Sequence, residues 1–183
     1  MLFIGNKGVK MLKILNKLKL TDFALIYNIM ELSFPSSEIR TYENELDLFK
    51  NANYHVLVSY NINMNIDGFI AEWDYKDFRY IEHFAVHPNA RGSGLGSKML
   101  QEYLNLDKKL VYIEVESQEN QSAKRRIQYY QRMGFFLSGF GYVQPLLREI
   151  HSEVNLKIMT YPIKISEADF LKYKKEIFES VYK

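Results

Sequence analysis

The sequence predicts a single α/β domain in which a mixed, mostly antiparallel sheet is covered by helices. Three observations predict it. Short β-branched and aromatic runs alternate with helical-period segments along the chain. A strand, a glycine-rich turn, a helix and a strong strand follow one another between residues 79 and 116, the order of a crossover with parallel pairing. The 183 residues, 47% of them hydrophobic, suffice for one core and would starve a second.

Taken in order, Met11–Leu18 alternates loosely and reads as a first strand. Residues 1–10 before it read either as an extension or as the product of an upstream start codon, with Met11 as the other start. Thr21-Asp22 caps a helix to about Leu32, which places Phe23, Ile26, Tyr27 and Met30 on one face, and Pro35 ends it. A second helix is expected over 37–50, with Ile39, Tyr42, Leu46 and Phe49 as its apolar stripe. Residues 55–59, 68–73 and 79–86 read as a three-stranded meander, with 61–67 as a hairpin loop. After Pro88 come a helix over 94–104 and a strand over 110–116. A helix over 123–133 stops at Gly134 and leads to strands near 135–142 and 155–159. Ser166 caps a final helix in 166–183.

Composition narrows the function. A formal net charge of +2 lacks the basic footprint that neutralises phosphates, so no nucleic-acid partner is expected. With no cysteine, a disulfide framework, a thiolate zinc site and a cysteine nucleophile are excluded, and a reducing, cytoplasmic setting is expected. No apolar run approaches the ~20 residues of a membrane span. Met1–Leu20 breaks its apolar residues with five lysines, so neither a signal peptide nor a membrane role is expected. His83 and His87 are four apart, roughly 13 Å along a strand, too far to share a metal, and none is expected; His55 and His151 read as structural.

The segment with chemistry is Arg91-Gly92-Ser93-Gly94-Leu95-Gly96, between a strand and a helix. Such a turn is either an ordinary connection or a phosphate cradle, in which backbone N–H groups and a helix N-terminus converge on an anion and Arg91 adds a charge-assisted contact. A nucleoside triphosphate loop needs Lys then Ser or Thr after its last glycine, and this chain reads Gly96-Ser97-Lys98. A dinucleotide fingerprint needs a wider glycine spacing than 92, 94 and 96.

The pattern Q/R-x-x-G-x-G/A in these residues resembles the coenzyme A pyrophosphate loop of the GNAT superfamily of N-acetyltransferases. Phe84-Ala85-Val86-His87-Pro88 is similar to the end of that family's fourth strand, and 110–116 to its fifth, between which the sheet splays. Tyr130-Gln131-Arg132-Met133-Gly134-Phe135 is similar to its Tyr-x-x-x-Gly-Phe motif. Ala123 stands where many members carry an asparagine; Asn120, three places earlier, is left unassigned.

The resemblance implies a GNAT-like fold and an enzyme using acetyl-coenzyme A as co-substrate, held by Phe84, Ala85, Val86 and the run Arg91, Gly92, Ser93, Gly94, Leu95, Gly96 and Ser97. It implies direct transfer to a small-molecule or peptide amine, with main-chain groups of Phe84 and Val86 toward the pantetheine arm and the acetyl oxygen. Tyr130 is the expected acid, with Tyr129 as fallback and core packing as its bland alternative. Glu82 is the expected base, directly or through water, against the alternative of a solvated strand residue; with regular pleating His83 would face the other way. Residues 33–42, Trp73 and 142–146 are expected to shape the acceptor pocket, where Glu38 and Arg40 either pair with a charged acceptor or form surface ion pairs. A homodimer is compatible with this reading. Two rivals use the same fold: a non-catalytic coenzyme A-binding module, which needs neither Glu82 nor Tyr130, and an enzyme modifying protein lysines or N-termini.

Overall fold

The computed structural model describes residues 14–117, 121–148 and 154–182. The proposed extension at 1–10, Met11, Asn120 and His151 lie outside the described residues.

A seven-stranded sheet carries the fold. Its strands are β1 (Asn16–Lys17), β2 (Tyr54–Tyr60), β3 (Ile66–Asp74), β4 (Phe78–Val86), β5 (Leu110–Glu116), β6 (Phe136–Val143) and β7 (Asn155–Tyr161), in the spatial order β1-β2-β3-β4-β5-β7-β6. The meander β2–β3–β4 is antiparallel as its tight connections require, and only β4 and β5 run parallel, joined through the crossover helix α3 (Leu95–Leu104). On one face lie α1 (Phe23–Ser33), α2 (Tyr42–Asp47) and α5 (Glu167–Ser180); on the other lie α3 and α4 (Gln121–Arg132). The core divides accordingly, with Phe23, Phe69, Trp73 and Tyr173 on the first side and Met99, Ile127, Tyr130 and Phe135 on the second.

Two features of the sheet position everything that follows. Parallel pairing of β4 with β5 runs from Phe78↔Leu110 to Ile81↔Ile113 and then stops, so the strands part at Glu82 and Glu114. At the same height β4 carries a bulge: Glu72 of β3 faces Ile81, Ala71 faces His83, and Glu82 is the extra residue. The bulge overturns the expectation that Glu82 and His83 point oppositely. Both side chains turn to the α1 face, Glu82 toward Trp73 and Arg40, His83 toward Phe34 and the Glu38 carbonyl.

The continuous helix expected over 37–50 is a correction. The chain makes a 3-10 turn at Ser36–Glu38, extends through Ile39 at φ −128°, and starts α2 only at Tyr42, with the Thr41 hydroxyl accepting from the Asn44 N–H as cap. Tertiary contacts explain the break. Ile39 and Arg40 are buried, the Arg148 guanidinium donates to the carbonyls of both, and the Tyr27 hydroxyl donates to Arg40 O. Helical propensity yields to those anchors. Of the first strand expected over Met11–Leu18, residues 11–13 lie outside the described residues; Asn16 and Lys17 pair with β2, and the Leu18 N–H donates to Val56 O.

Candidate functional site

One cavity of about 720 Å³ runs through the gap between β4 and β5. Arg91, Gly94, Gly96, Phe84, Val86, Tyr129 and Tyr130 line its α3/α4 side, and Phe34, Glu38, Tyr80, Glu82, Glu114 and Tyr182 its α1/α5 side. A channel open through a sheet arises only where strands separate, since paired strands stand about 4.8 Å apart.

The glycine turn occupies the α3 end. Gly92 and Gly94 have φ of 79° and 80°, values that cost a side chain dearly, and together they bend the chain so that α3 begins directly at Leu95. The Ser93 hydroxyl donates to Ala90 O and accepts from the Leu95 N–H, bracing the bend. No side chain caps α3, and as the first N–H groups of any helix lack intrahelical partners, those of Gly96 and Ser97 are directed outward at the positive end of the helix dipole. A methyl at Gly96 would sit 3.3 Å from Val86 Cγ2 and 3.7 Å from the Tyr129 hydroxyl, so hydrogen there keeps the groove open. Arg91 donates through Nε to Val86 O and through Nη2 to Ser33 Oγ, which holds its guanidinium at the cavity rim.

This arrangement fits a pyrophosphate carried by a long thin arm. The groove is kept clear by a glycine, donors converge at a helix N-terminus beside a guanidinium, and the Tyr129 hydroxyl is buried with no hydrogen-bond partner within bonding geometry among the described residues. Along β4, the His87 N–H donates back to Asp67 O; strand alternation therefore turns the main-chain groups of Phe84 and Val86 to the open edge, away from β3. The Val86 carbonyl is the one Arg91 takes up.

The Tyr130 motif is explained by packing. Gly134, at φ 92°, reverses the chain at the end of α4, so that the Phe135 N–H donates to Tyr130 O and the Phe135 ring meets Tyr130 edge-on at 5.5 Å. Tyr130 is 5% exposed, lines the cavity, and its hydroxyl has no partner among the described residues. Burial pushes its phenol well up from the usual value, with Tyr129 adding to the rise and Arg126 opposing it.

Glu82 stands at the cavity wall with both carboxylate oxygens engaged. Arg40 Nη1 donates to Oε1 and Trp73 Nε1 to Oε2, each at 2.6 Å, and the side chain is 5% exposed. Burial favours its neutral form, yet Arg40 first, then His83 and the Trp73 N–H, outweigh burial and hold it below the ordinary carboxylate range. Arg40 therefore is not a surface ion pair or a free contact for an acceptor. It is 7% exposed, bound to Glu82, with Glu45 at 3.5 Å and the Val181 carbonyl at 2.6 Å. Trp73, expected in the acceptor pocket, is 1% exposed in the core and acts only by holding Glu82.

The largest feature that motif reading missed is Glu114. It is the first residue of β5 beyond the pairing with β4, and four tyrosine hydroxyls donate to its carboxylate. Tyr142 and Tyr173 bind Oε1; Tyr80 at 2.9 Å and Tyr182 at 2.7 Å bind Oε2. Its one trace in the sequence is a carboxylate interrupting the buried run Val111-Tyr112-Ile113-Glu114-Val115. Among the described residues no His, Cys, Asp or Glu side chains gather as a metal site, and no helix is long and apolar enough to cross a membrane.

Comparison with known proteins follows the same geometry. Residues 23–135 match the family described as Acetyltransferase (GNAT) family. YjbC of Bacillus subtilis (strain 168), an inferred acetyltransferase, is 28% identical over 114 residues, 60% of this chain; the match spans only 58% of that protein's length. A solved structure of an inferred GNAT-family acetyltransferase from Bacteroides thetaiotaomicron superposes with a TM-score of 0.81 at 30% identity, covering 92% of this chain and 97% of the other. A chimeric spermidine N-acetyltransferase built from Vibrio cholerae SpeG and hSSAT shares the fold, with a TM-score of 0.63 at 15% identity over 86% of this chain and 96% of the other.

Proposed function

Because the chain belongs to the acetyltransferase (GNAT) family, we propose that it transfers acetyl from acetyl-coenzyme A directly to a primary amine across the gap between β4 and β5. The observation that carries this reading is one continuous cavity with an anion cradle on one face of the sheet and carboxylates on the other. Two substrates entering from opposite faces meet where the strands part, and such alignment supplies much of the rate of an acyl transfer.

Each residue then has a task. The N–H groups at the start of α3 and the Arg91 guanidinium bind the pyrophosphate, and Gly96 leaves room for the pantetheine arm. Main-chain groups of Phe84 and Val86 on the open edge of β4 pair with that arm, and an N–H among them steadies charge on the acetyl oxygen as the amine adds. Tyr130, protonated throughout the working pH range because burial raises it, returns a proton to the departing thiolate. Glu82 is better suited to holding the bulged strand end and the local field than to taking a proton itself. Its carboxylate is already held in the ionised form by Arg40, which makes it a weak base.

Titration calorimetry with acetyl-coenzyme A, followed by thiol release with an amine panel, tests the proposal. Saturable binding that Gly94→Asp abolishes, together with amine-dependent thiol release, is the expected result. Binding without thiol release for any amine would overturn the catalytic reading in favour of a coenzyme A-binding module.

A further inference from the structure

Glu114 is a half-buried carboxylate at the apex of the gap, and no cation lies within ion-pair distance of it among the described residues. Its four donors divide by position. Tyr142 and Tyr173 hold Oε1 from behind and do not line the cavity, whereas Tyr80 and Tyr182, on Oε2, both do. Every one of these hydroxyls spends its proton on Glu114, so the lone pairs of Tyr80 and Tyr182 remain to accept from a donor entering the cavity. Phenol oxygens that accept only, set before an uncompensated negative charge, suit an ammonium group and repel a carboxylate.

Other groups face the same space. From β4 come Tyr80, His83 and Glu82, the last paired with the Arg40 that Glu45 shares, and from the segment after α5 comes Tyr182; Tyr142 of β6 and Tyr173 of α5 reach Glu114 from behind. Farther along β5 is Glu116, 3.3 Å from Arg126 of α4, and Glu38 closes the α1 side. Glu114 thus supplies a local negative charge with which no cation among the described residues is ion-paired. Burial raises its proton affinity, while the tyrosine hydroxyls pull the other way without cancelling that rise.

Building on the acetyltransferase reading, we propose that Glu114 and its tyrosines form the receptor for the acceptor's ammonium group, and that Glu114 takes the acceptor's first proton through the Tyr182 hydroxyl. The acceptor class is an alkylammonium with no carboxylate beside the reacting nitrogen. In the step, an N–H proton of the ammonium moves to Tyr182 Oη as the Tyr182 proton moves to Glu114 Oε2, leaving a neutral amine. Its lone pair forms the C–N bond to the thioester carbonyl, the C–S bond breaks, and the second nitrogen proton accompanies the sulfur as thiol, through Tyr130. Glu114 then returns its proton to solvent, so the sum is ammonium plus thioester giving amide, thiol and one proton.

Thiol release is measured with acetyl-coenzyme A and three probes: n-butylamine, 1,4-diaminobutane and β-alanine. The two alkylammonium probes are expected to turn over and β-alanine to lag by about 100-fold or more. Glu114→Gln should lower kcat/KM for the alkylamines about 100-fold at neutral pH, abolish the acidic limb of the wild-type profile, and recover activity as pH approaches the amine's own pKa, with acetyl-coenzyme A affinity unchanged. Tyr182→Phe, just beyond α5, should lower kcat/KM about 10-fold and serves if Glu114→Gln does not fold. An unaltered acidic limb in Glu114→Gln, unaltered kcat/KM in Tyr182→Phe, or no alkylamine turnover by protein that binds acetyl-coenzyme A overturns the proposal. Failure to bind acetyl-coenzyme A overturns the acetyltransferase reading instead.

Discussion

Arg40→Ala tests the buried ion cluster on which the bulged end of β4 rests. Arg40 Nη1 lies 2.6 Å from Glu82 and 3.5 Å from Glu45, and Nη2 donates to Val181 O at 2.6 Å. Glu45 accepts from the Tyr54 hydroxyl at Oε1, while its buried Oε2 has no hydrogen bond among the described residues and faces the guanidinium that Glu82 shares. Burial opposes a charged Arg40, but the two carboxylates outweigh burial and hold it charged. Its removal leaves two buried carboxylates and a carbonyl without their partner, a loss of about 4 kcal/mol. In a domain of this size that is a fall of roughly 8–16 °C in Tm.

The pH dependence fixes the sign of that argument. In the wild type Glu82 is held low, so its stabilisation is present above the unfolded pKa of about 4.3 and fades as pH falls through the lower folded value. In Arg40→Ala, Glu82 keeps the burial and loses the cation, so its folded value rises above the unfolded one. The variant then loses stability as pH rises through that window. Urea unfolding followed by fluorescence of Trp73, the only tryptophan, reads both proteins at pH 4.5 and 7.5. The gap should be near 4 kcal/mol at pH 7.5 and clearly smaller at pH 4.5. A loss under about 1 kcal/mol at pH 7.5, or a gap that does not shrink on acidification, refutes the reasoning.

Other substitutions separate the parts of the site. Gly96→Ala gains helix propensity of up to about 1 kcal/mol but sets a methyl 3.3 Å from Val86; melting temperature should hardly move while calorimetry shows acetyl-coenzyme A affinity down about 10-fold. Tyr130→Phe keeps the ring contact with Phe135 and should lower kcat about 100-fold with little change in KM for acetyl-coenzyme A, as steady-state kinetics will report. Tyr129→Phe removes a buried hydroxyl beside Gly96 that has no hydrogen bond among the described residues; thermal denaturation should show equal or higher stability, and calorimetry a weaker hold on the co-substrate.

Much of this protein is written locally, and that part was legible. Strand runs at 55–59, 68–73 and 79–86 became β2, β3 and β4 within a few residues, because alternation and turn chemistry are short-range properties. The glycine turn, the crossover helix and the Tyr-x-x-x-Gly-Phe segment lie where their spacing placed them, since a positive φ at Gly92, Gly94 or Gly134 is a demand of the local chain. The family follows from those segments together. What only the tertiary structure decided is the polar interior of the gap. The bulge at Glu82 comes from pairing with β3, and it turns two neighbouring side chains to one face, which regular pleating forbids. Burial of Arg40 breaks the helix that its neighbours favour and changes a surface charge into the partner of Glu82. Glu114 gathers tyrosines from β4, β6, α5 and the chain beyond α5, up to 68 residues away in sequence. No local pattern encodes such a cluster, because a buried charge is tolerated only when distant elements bring donors to it.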